Sequence, residues 1–229
     1  MLFQTTAAHE ELRAKIRSFA EEEIKPLAFM MDQNNEFPEE AVKKLGKLGW
    51  MGIPYPKEYG GAGLDALSYA IAVEELARVD GGAGVILSAH VSLGAWPIFA
   101  YGTEEQKRKY LPMLTTGHHV GAFALTEPNA GSDASKGQTE ARLEGDHYVM
   151  NGSKIFITNA GFADVFIIIA VTGFVTVAFM PLTYNISYGI AFGLISYVFV
   201  KIFTGKIKEI NVGTWIISIL FALMFFLTR

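Results

Sequence analysis

Apolar positions in the first 115 residues recur at helical spacing, with charged residues filling the intervals. Over residues 8–25, Leu12, Ile16, Phe19 and Ala20 fall on one helical face, and Pro26 marks the expected end. Phe37-Pro38 opens a second amphipathic helix from Glu39 to Leu48, stopped by Gly49. The stretch from Gly52 to Gly63, rich in Gly and Pro, reads as a structured loop. A third helix is predicted from Ala66 to Val79, with Glu74 four residues before Arg78, and Gly81, Gly82 and Gly84 are expected to break it. An apolar helix follows from Val85 to Tyr101. Thr103 then caps a short helix ending near Leu114, with Gln106 in the capping-box position three residues on. The front of the chain therefore reads as a helical bundle.

After Gly117 the period shortens. Val120 to Leu125, Thr139 to Leu143, Tyr148 to Asn151 and Lys154 to Thr158 are predicted strands. Gly145-Asp146 and Asn151-Gly152 are hairpin signals, so the structure expected here is antiparallel. Val165 to Val171 reads as one more strand, buried on both sides. No Asp, Glu, Lys or Arg occurs from Val165 to Val200, and none from Ile210 to Thr228. From about Leu182 to Phe203 some twenty apolar or small residues follow one another, enough to cross a bilayer core of about 30 Å. A second, shorter span runs from Trp215 to Leu227, with Lys201, Lys206 and Lys208 in the connection. The predicted fold class is thus α+β, a helical bundle followed by a partial antiparallel β domain, and then two transmembrane helices. The divisions expected are residues 1–117, 118–172 and 173–229.

Charge sharpens this division. Residues 1–172 hold 15 Lys/Arg and 22 Asp/Glu, whereas residues 173–229 hold 4 and 1. The acidic front argues against nucleic-acid binding, which needs a basic face. The chain has no Cys, which excludes disulfides, thiolate catalysis and Cys-ligated metal clusters. The first fifteen residues lack a basic segment followed by an apolar run, so a secretion signal is not expected and the front is placed in the cytoplasm. The tail, residues 182–228, is expected to sit in a lipid bilayer.

Two segments carry candidate chemistry. Phe123-Ala124-Leu125-Thr126-Glu127-Pro128-Asn129-Ala130-Gly131-Ser132-Asp133 ends a strand in a turn that offers main-chain N–H groups and a Ser hydroxyl to a ligand. Asn151-Gly152-Ser153-Lys154-Ile155-Phe156-Ile157-Thr158-Asn159 places an aromatic ring and a hydroxyl on one face of a strand. Glu74 and Glu75 read as a solvated helix face. His118-His119 reads as an exposed turn, and no metal site is expected.

In this order and spacing, the two segments resemble the acyl-CoA dehydrogenase family, close to its short-chain, butyryl-CoA-type members. Tyr59-Gly60-Gly61-Ala62-Gly63, Tyr69 to Asp80 and Tyr101-Gly102-Thr103-Glu104-Glu105-Gln106-Lys107 extend the likeness, which covers about residues 5–172. Lys136 departs from it, standing where the family usually has a small residue. The resemblance implies FAD as cofactor, an acyl-CoA substrate and α,β-desaturation of the thioester. It assigns Phe123, Leu125, Thr126, Ser132, Phe156, Ile157 and Thr158 to the flavin, with Ser132 also serving the acyl-CoA. It places the family's catalytic Glu in a later helical domain, so no catalytic residue is assigned here, Glu127 included. An inactive protein that does not form the family's tetramer is expected. Met180-Pro181-Leu182-Thr183-Tyr184-Asn185-Ile186, Gly189-Ile190-Ala191-Phe192-Gly193, Ile195-Ser196-Tyr197 and Lys201 to Lys206 resemble the C-terminal end of guanine/hypoxanthine permeases. With no linker near Thr172 to Phe174, the expectation is a chimera joined there, the alternative being a membrane-transport fragment bearing a foreign soluble head.

Overall fold

The computed structural model describes residues 4–171, 198 and 212–227. The chain divides into two compact units. The first comprises residues 1–124 and 157–168, the second residues 125–156 and 169–229.

The first unit is helical around one apolar core. Helix α1 (Ala7–Phe19) starts at Thr6, whose hydroxyl accepts from the His9 N–H, while the His9 ring closes a capping box back onto the Thr6 N–H. The helical path does not stop at Pro26. A wide π-type turn (Ala20–Ile24) leads into α2 (Lys25–Asn34), where Pro26 occupies the first turn and its missing N–H is not needed. Asn35, in the left-handed conformation, ends α2. Helix α3 (Glu39–Lys47) buries Ala41, Val42 and Leu45, as its spacing predicts.

Helix α4 (Ala66–Ala77) is capped by Asp65, which accepts from the Ser68 N–H at 2.8 Å. The glycines after it begin a helix rather than break one. Asp80 accepts from Gly82 N–H and Ala83 N–H at 3.0 and 3.1 Å, and α5 (Gly81–Ala89) starts at that cap. A second π-type turn (His90–Ala95) joins α5 to α6 (Trp96–Tyr101). Helix α7 (Glu104–Thr115) carries the predicted capping box between Thr103 and Gln106. Ile16, Leu45, Met51, Ile53, Tyr55, Leu76, Leu87, Leu111 and Leu114 form the fully buried centre of the core.

Glu75 corrects the expectation of a solvated face. It is 1% exposed, and Arg13 and Arg17 of α1 reach it at 2.8 Å, with Arg78 at 3.4 Å. Glu74, by contrast, is an exposed partner of Arg13.

Strand β1 (Gly121–Ala124) also belongs to the first unit and pairs with β4 (Val165–Ile168), from Gly121 opposite Val165 to Ala124 opposite Ile168. This pair is parallel, which corrects the antiparallel expectation. Parallel neighbours need a long crossover, and some forty residues separate the two strands.

In the second unit β2 (Glu140–Glu144) and β3 (His147–Asn151) form the predicted antiparallel hairpin around Gly145-Asp146, with Gly145 at φ 67°. Val171 extends it, donating to Thr139 O at 2.7 Å. Lys154 to Thr158 is not a strand. Phe156 takes φ 56°, a left-handed conformation no ladder accommodates.

The first predicted span, 182–203, lies outside the described residues. The second falls on α8 (Val212–Leu227), whose described length is 16 residues or about 24 Å. Ile216, Ile217, Ile219 and Leu220 are exposed on it. Among the described residues the run long and apolar enough to span is Gly81–Tyr101, and half of its apolar window is buried in the helical unit, as a core helix would be. The two-span expectation therefore has no support among the described residues.

Candidate functional site

In the first unit, packing against the π-type turn fixes the start of β1. The Gly121 N–H donates to His90 Nδ1 at 3.0 Å, so Nδ1 must accept, and Nε2–H donates to Leu114 O at 3.1 Å. His90 is fully buried and neutral; burial pushes it down to about 4. A Cβ on Gly94 would lie 2.8 Å from the Gly121 backbone, so this approach is open only to glycine. Asp164 accepts from Val120 N–H at 2.9 Å and holds the β4 end of the pair.

The chain after Phe156 returns to the same place. Asn159, at φ 70° and 8% exposed, donates through Nδ2 to Gly121 O at 3.1 Å and to Ile86 O at 3.2 Å. Its Oδ1 is buried without a partner among the described residues. Phe162 stacks on Phe37 at 4.1 Å. Three sequence-assigned residues are thus gathered around one knot: Phe123 on β1, and Ile157 and Thr158 just before Asn159. All three are half-buried.

The second unit holds the other four, and a buried ion pair organises the chain around Leu125, Thr126 and Phe156. Glu127, 5% exposed, accepts from the Thr139 N–H at 3.0 Å, from the Gln138 N–H at 2.5 Å and from Lys154 Nζ at 2.7 Å. Burial alone pushes the Glu127 carboxyl up, but the hydrogen bonds from Lys154, Gln138 and Thr139 outweigh it and hold the group down at about 2. Lys154 Nζ also donates to Leu125 O at 3.0 Å and to Ile169 O at 2.6 Å. Ile155 N–H donates to Thr126 O at 2.9 Å.

These bonds bring Leu125 and Thr126 beside Phe156, whose ring is 90% exposed. Ser132 lies apart from them, exposed, after the narrow turn in which Glu127 and Ala130 bond each other. Lys136, the departure from the family pattern, reaches solvent and pairs with Asp133 at 3.4 Å, so the turn accepts it.

Each unit has a cavity of about 540 Å³. One is lined by Tyr101, Gln106, Tyr110 and Phe166, the other by Glu127, Gln138, Thr139 and Ser153. None of the seven assigned residues lines either. Sequence reasoning missed His90, Asn159 and the Glu127–Lys154 pair. The partners of each are dozens of residues away, and no local spacing announces them.

Known proteins resolve the family. Residues 6–118 match the acyl-CoA dehydrogenase N-terminal domain and residues 122–183 the acyl-CoA dehydrogenase middle domain. The short-chain specific acyl-CoA dehydrogenase of Clostridium acetobutylicum is 60% identical over 172 residues, which are 75% of this chain and 45% of that protein. Butyryl-CoA dehydrogenase from Megasphaera elsdenii superimposes with a TM-score of 0.72 at 44% identity, covering 76% of this chain and 46% of that one. An acyl-CoA dehydrogenase from Bacillus anthracis, solved as a complex with FAD, gives 0.70 at 42% identity, covering 74% of this chain and 29% of that one. The chain thus spans under half the length of the relatives it matches. None of the three is a membrane transporter, and nothing in these matches supports the permease likeness or a bilayer location. With an N-terminal helical domain and a middle β domain matched in order over most of its length, the chain belongs to the acyl-CoA dehydrogenase family.

Proposed function

We propose that this chain is the flavin-holding part of a short-chain acyl-CoA dehydrogenase, with FAD as cofactor and a short acyl-CoA thioester as substrate. Phe123, Ile157 and Thr158 in the first unit, and Leu125, Thr126, Ser132 and Phe156 in the second, are the residues assigned to FAD. When bound, FAD supplies the redox step of α,β-desaturation.

One observation carries the reading. The carbonyls of Leu125 and Thr126 are both engaged, yet the Thr126 N–H and hydroxyl have no partner among the described residues. These two donors are half-buried and remain open to a polar ligand. Beside it Phe156 is kept in a left-handed conformation with its ring in the open, a cost the chain itself does not recover. A flat heteroaromatic group with hydrogen-bonding edges satisfies both.

The same structure leaves proton abstraction unassigned. Among the described residues the buried carboxylates are Glu75 and Glu127. Arg17 chiefly, with Arg13, holds Glu75 down at about 2 against the cost of burial, and Glu127 is held equally low. Groups so acidic are poor bases at neutral pH. The described residues are therefore assigned to binding and orientation with no base among them, and absence of turnover by the purified chain is the outcome this reading predicts.

The test is direct. The purified full chain should quench FAD fluorescence on titration and stay yellow through gel filtration. Butyryl-CoA with a dye acceptor should give no steady reduction above a blank. Failure to retain FAD overturns the flavin assignment, and sustained dye reduction overturns the missing base.

A further inference from the structure

Lys154 presents an ammonium with three protons to three acceptors in three separate stretches: Glu127 Oε1, Leu125 O and Ile169 O. It is 12% exposed, and Glu127 is 5% exposed. The carboxylate is equally occupied, taking Lys154 and the main-chain N–H groups of Gln138 and Thr139. Every polar contact of the pair is thus made inside the second unit, and most of them are to main chain.

Removing two charges from water is costly, and an apolar pair of the same size would fill the space without that cost. An apolar pair cannot aim a carbonyl or a turn. Here the charged pair fixes Leu125 directly, fixes Glu127 next to Thr126, and places Ile155 so that its N–H takes the Thr126 carbonyl. The Thr126 N–H and hydroxyl meet no protein partner among the described residues.

We infer that Lys154 and Glu127 form a positioning pair that sets flavin affinity by holding the main chain at Leu125 and Thr126, without either side chain touching the ligand. The inference rests on the flavin reading proposed above.

The experiment compares FAD affinity and thermal unfolding for the full-length wild-type chain, Lys154→Arg, Lys154→Met and the double variant Glu127→Gln/Lys154→Met. Lys154→Met leaves a buried carboxylate without its cation and should lower both affinity and unfolding temperature. The double variant removes that uncompensated charge, so its unfolding temperature should return to near wild type. Its FAD affinity should not return, remaining about 10- to 100-fold weak, the range seen when groups that orient a metal's ligands are removed. Lys154→Arg keeps the charge but replaces a tripod of donors by a planar fork; it should fold and still bind FAD at least about tenfold more weakly.

Recovery of affinity together with stability in the double variant would reduce the pair to a structural role and overturn the inference. Wild-type affinity in Lys154→Arg would do the same. A wild-type chain that binds no FAD at all would instead overturn the flavin reading, and this inference with it.

Discussion

The helical unit and the 125–156 stretch of the second unit are held by different forces. The first buries a continuous apolar cluster from Ile16 to Val120, with nine large side chains reaching near-zero exposure. In the second, between Leu125 and Phe156, the buried residues are Glu127, Ala130 and Thr139, and only Ala130 is apolar. Burial of hydrocarbon is non-directional and tolerates small shifts, whereas a buried ion pair with main-chain partners is directional. A scaffold that only needs to stand can rely on the former. A turn that must present particular donors requires the latter.

The same contrast separates the two buried carboxylates. Glu75 is surrounded by three guanidinium groups from α1 and the C-cap of α4, and two of these, on Arg17 and Arg78, are about half exposed. It ties one helix to another at a face open to water and salt. Glu127 meets a single, nearly buried ammonium and two peptide N–H groups, and it ties a turn to its neighbours.

The contrast can be broken at its strongest point first. Leu87→Ala removes a fully buried side chain from the helical core and should cost about 2–5 kcal/mol, read from urea unfolding of the first unit by tryptophan fluorescence.

Next in size is the acid limb of stability. His90 titrates at about 4 when folded and near its ordinary 6.5 when unfolded. The unfolded chain therefore takes up this proton first, and stability should fall as pH drops from about 6.5 to about 4, by on the order of a few kcal/mol. Glu75 and Glu127 act lower: their contribution is present above 4.5 and is lost as pH falls toward about 2. Urea midpoints at pH 7, 5.5 and 4 should decline in wild type. His90→Gln should flatten that interval and leave the lower one unchanged.

Glu75→Gln should cost about 1–3 kcal/mol in the first unit, and added salt should narrow its difference from wild type because water reaches the arginines. A change in FAD affinity larger than its change in stability would erase the distinction drawn between the two carboxylates. The smallest effect is expected at Thr103→Ala, about 1 kcal/mol from loss of the α7 cap, with no consequence for flavin.

Local order was legible from residue spacing. Helices α3, α4 and α7 begin and end within two residues of the predicted limits; α3 follows its apolar spacing after Pro38, and in α4 and α7 the capping side chain and the helix it caps lie within four residues of each other. The β2–β3 hairpin was legible for the same reason, its turn being Gly145-Asp146. Pro26 and the Gly81-Gly82 pair misled. Their usual effect as helix breakers is cancelled by a π-type turn in one case and by the Asp80 cap in the other.

By itself, the order of residues determined the helical front, the hairpin and the family likeness carried by the segments around Thr126 and Phe156. Only tertiary structure decided that β1 and β4 run parallel, that Glu75 faces inward, and that Lys154 closes on Glu127. Each of these joins groups between 27 and 62 positions apart, or strands some forty residues apart. At such separations no residue's own preference favours one partner over another. The choice belongs to the packed state, where desolvation penalises every unpaired charge and every unbonded peptide group at once.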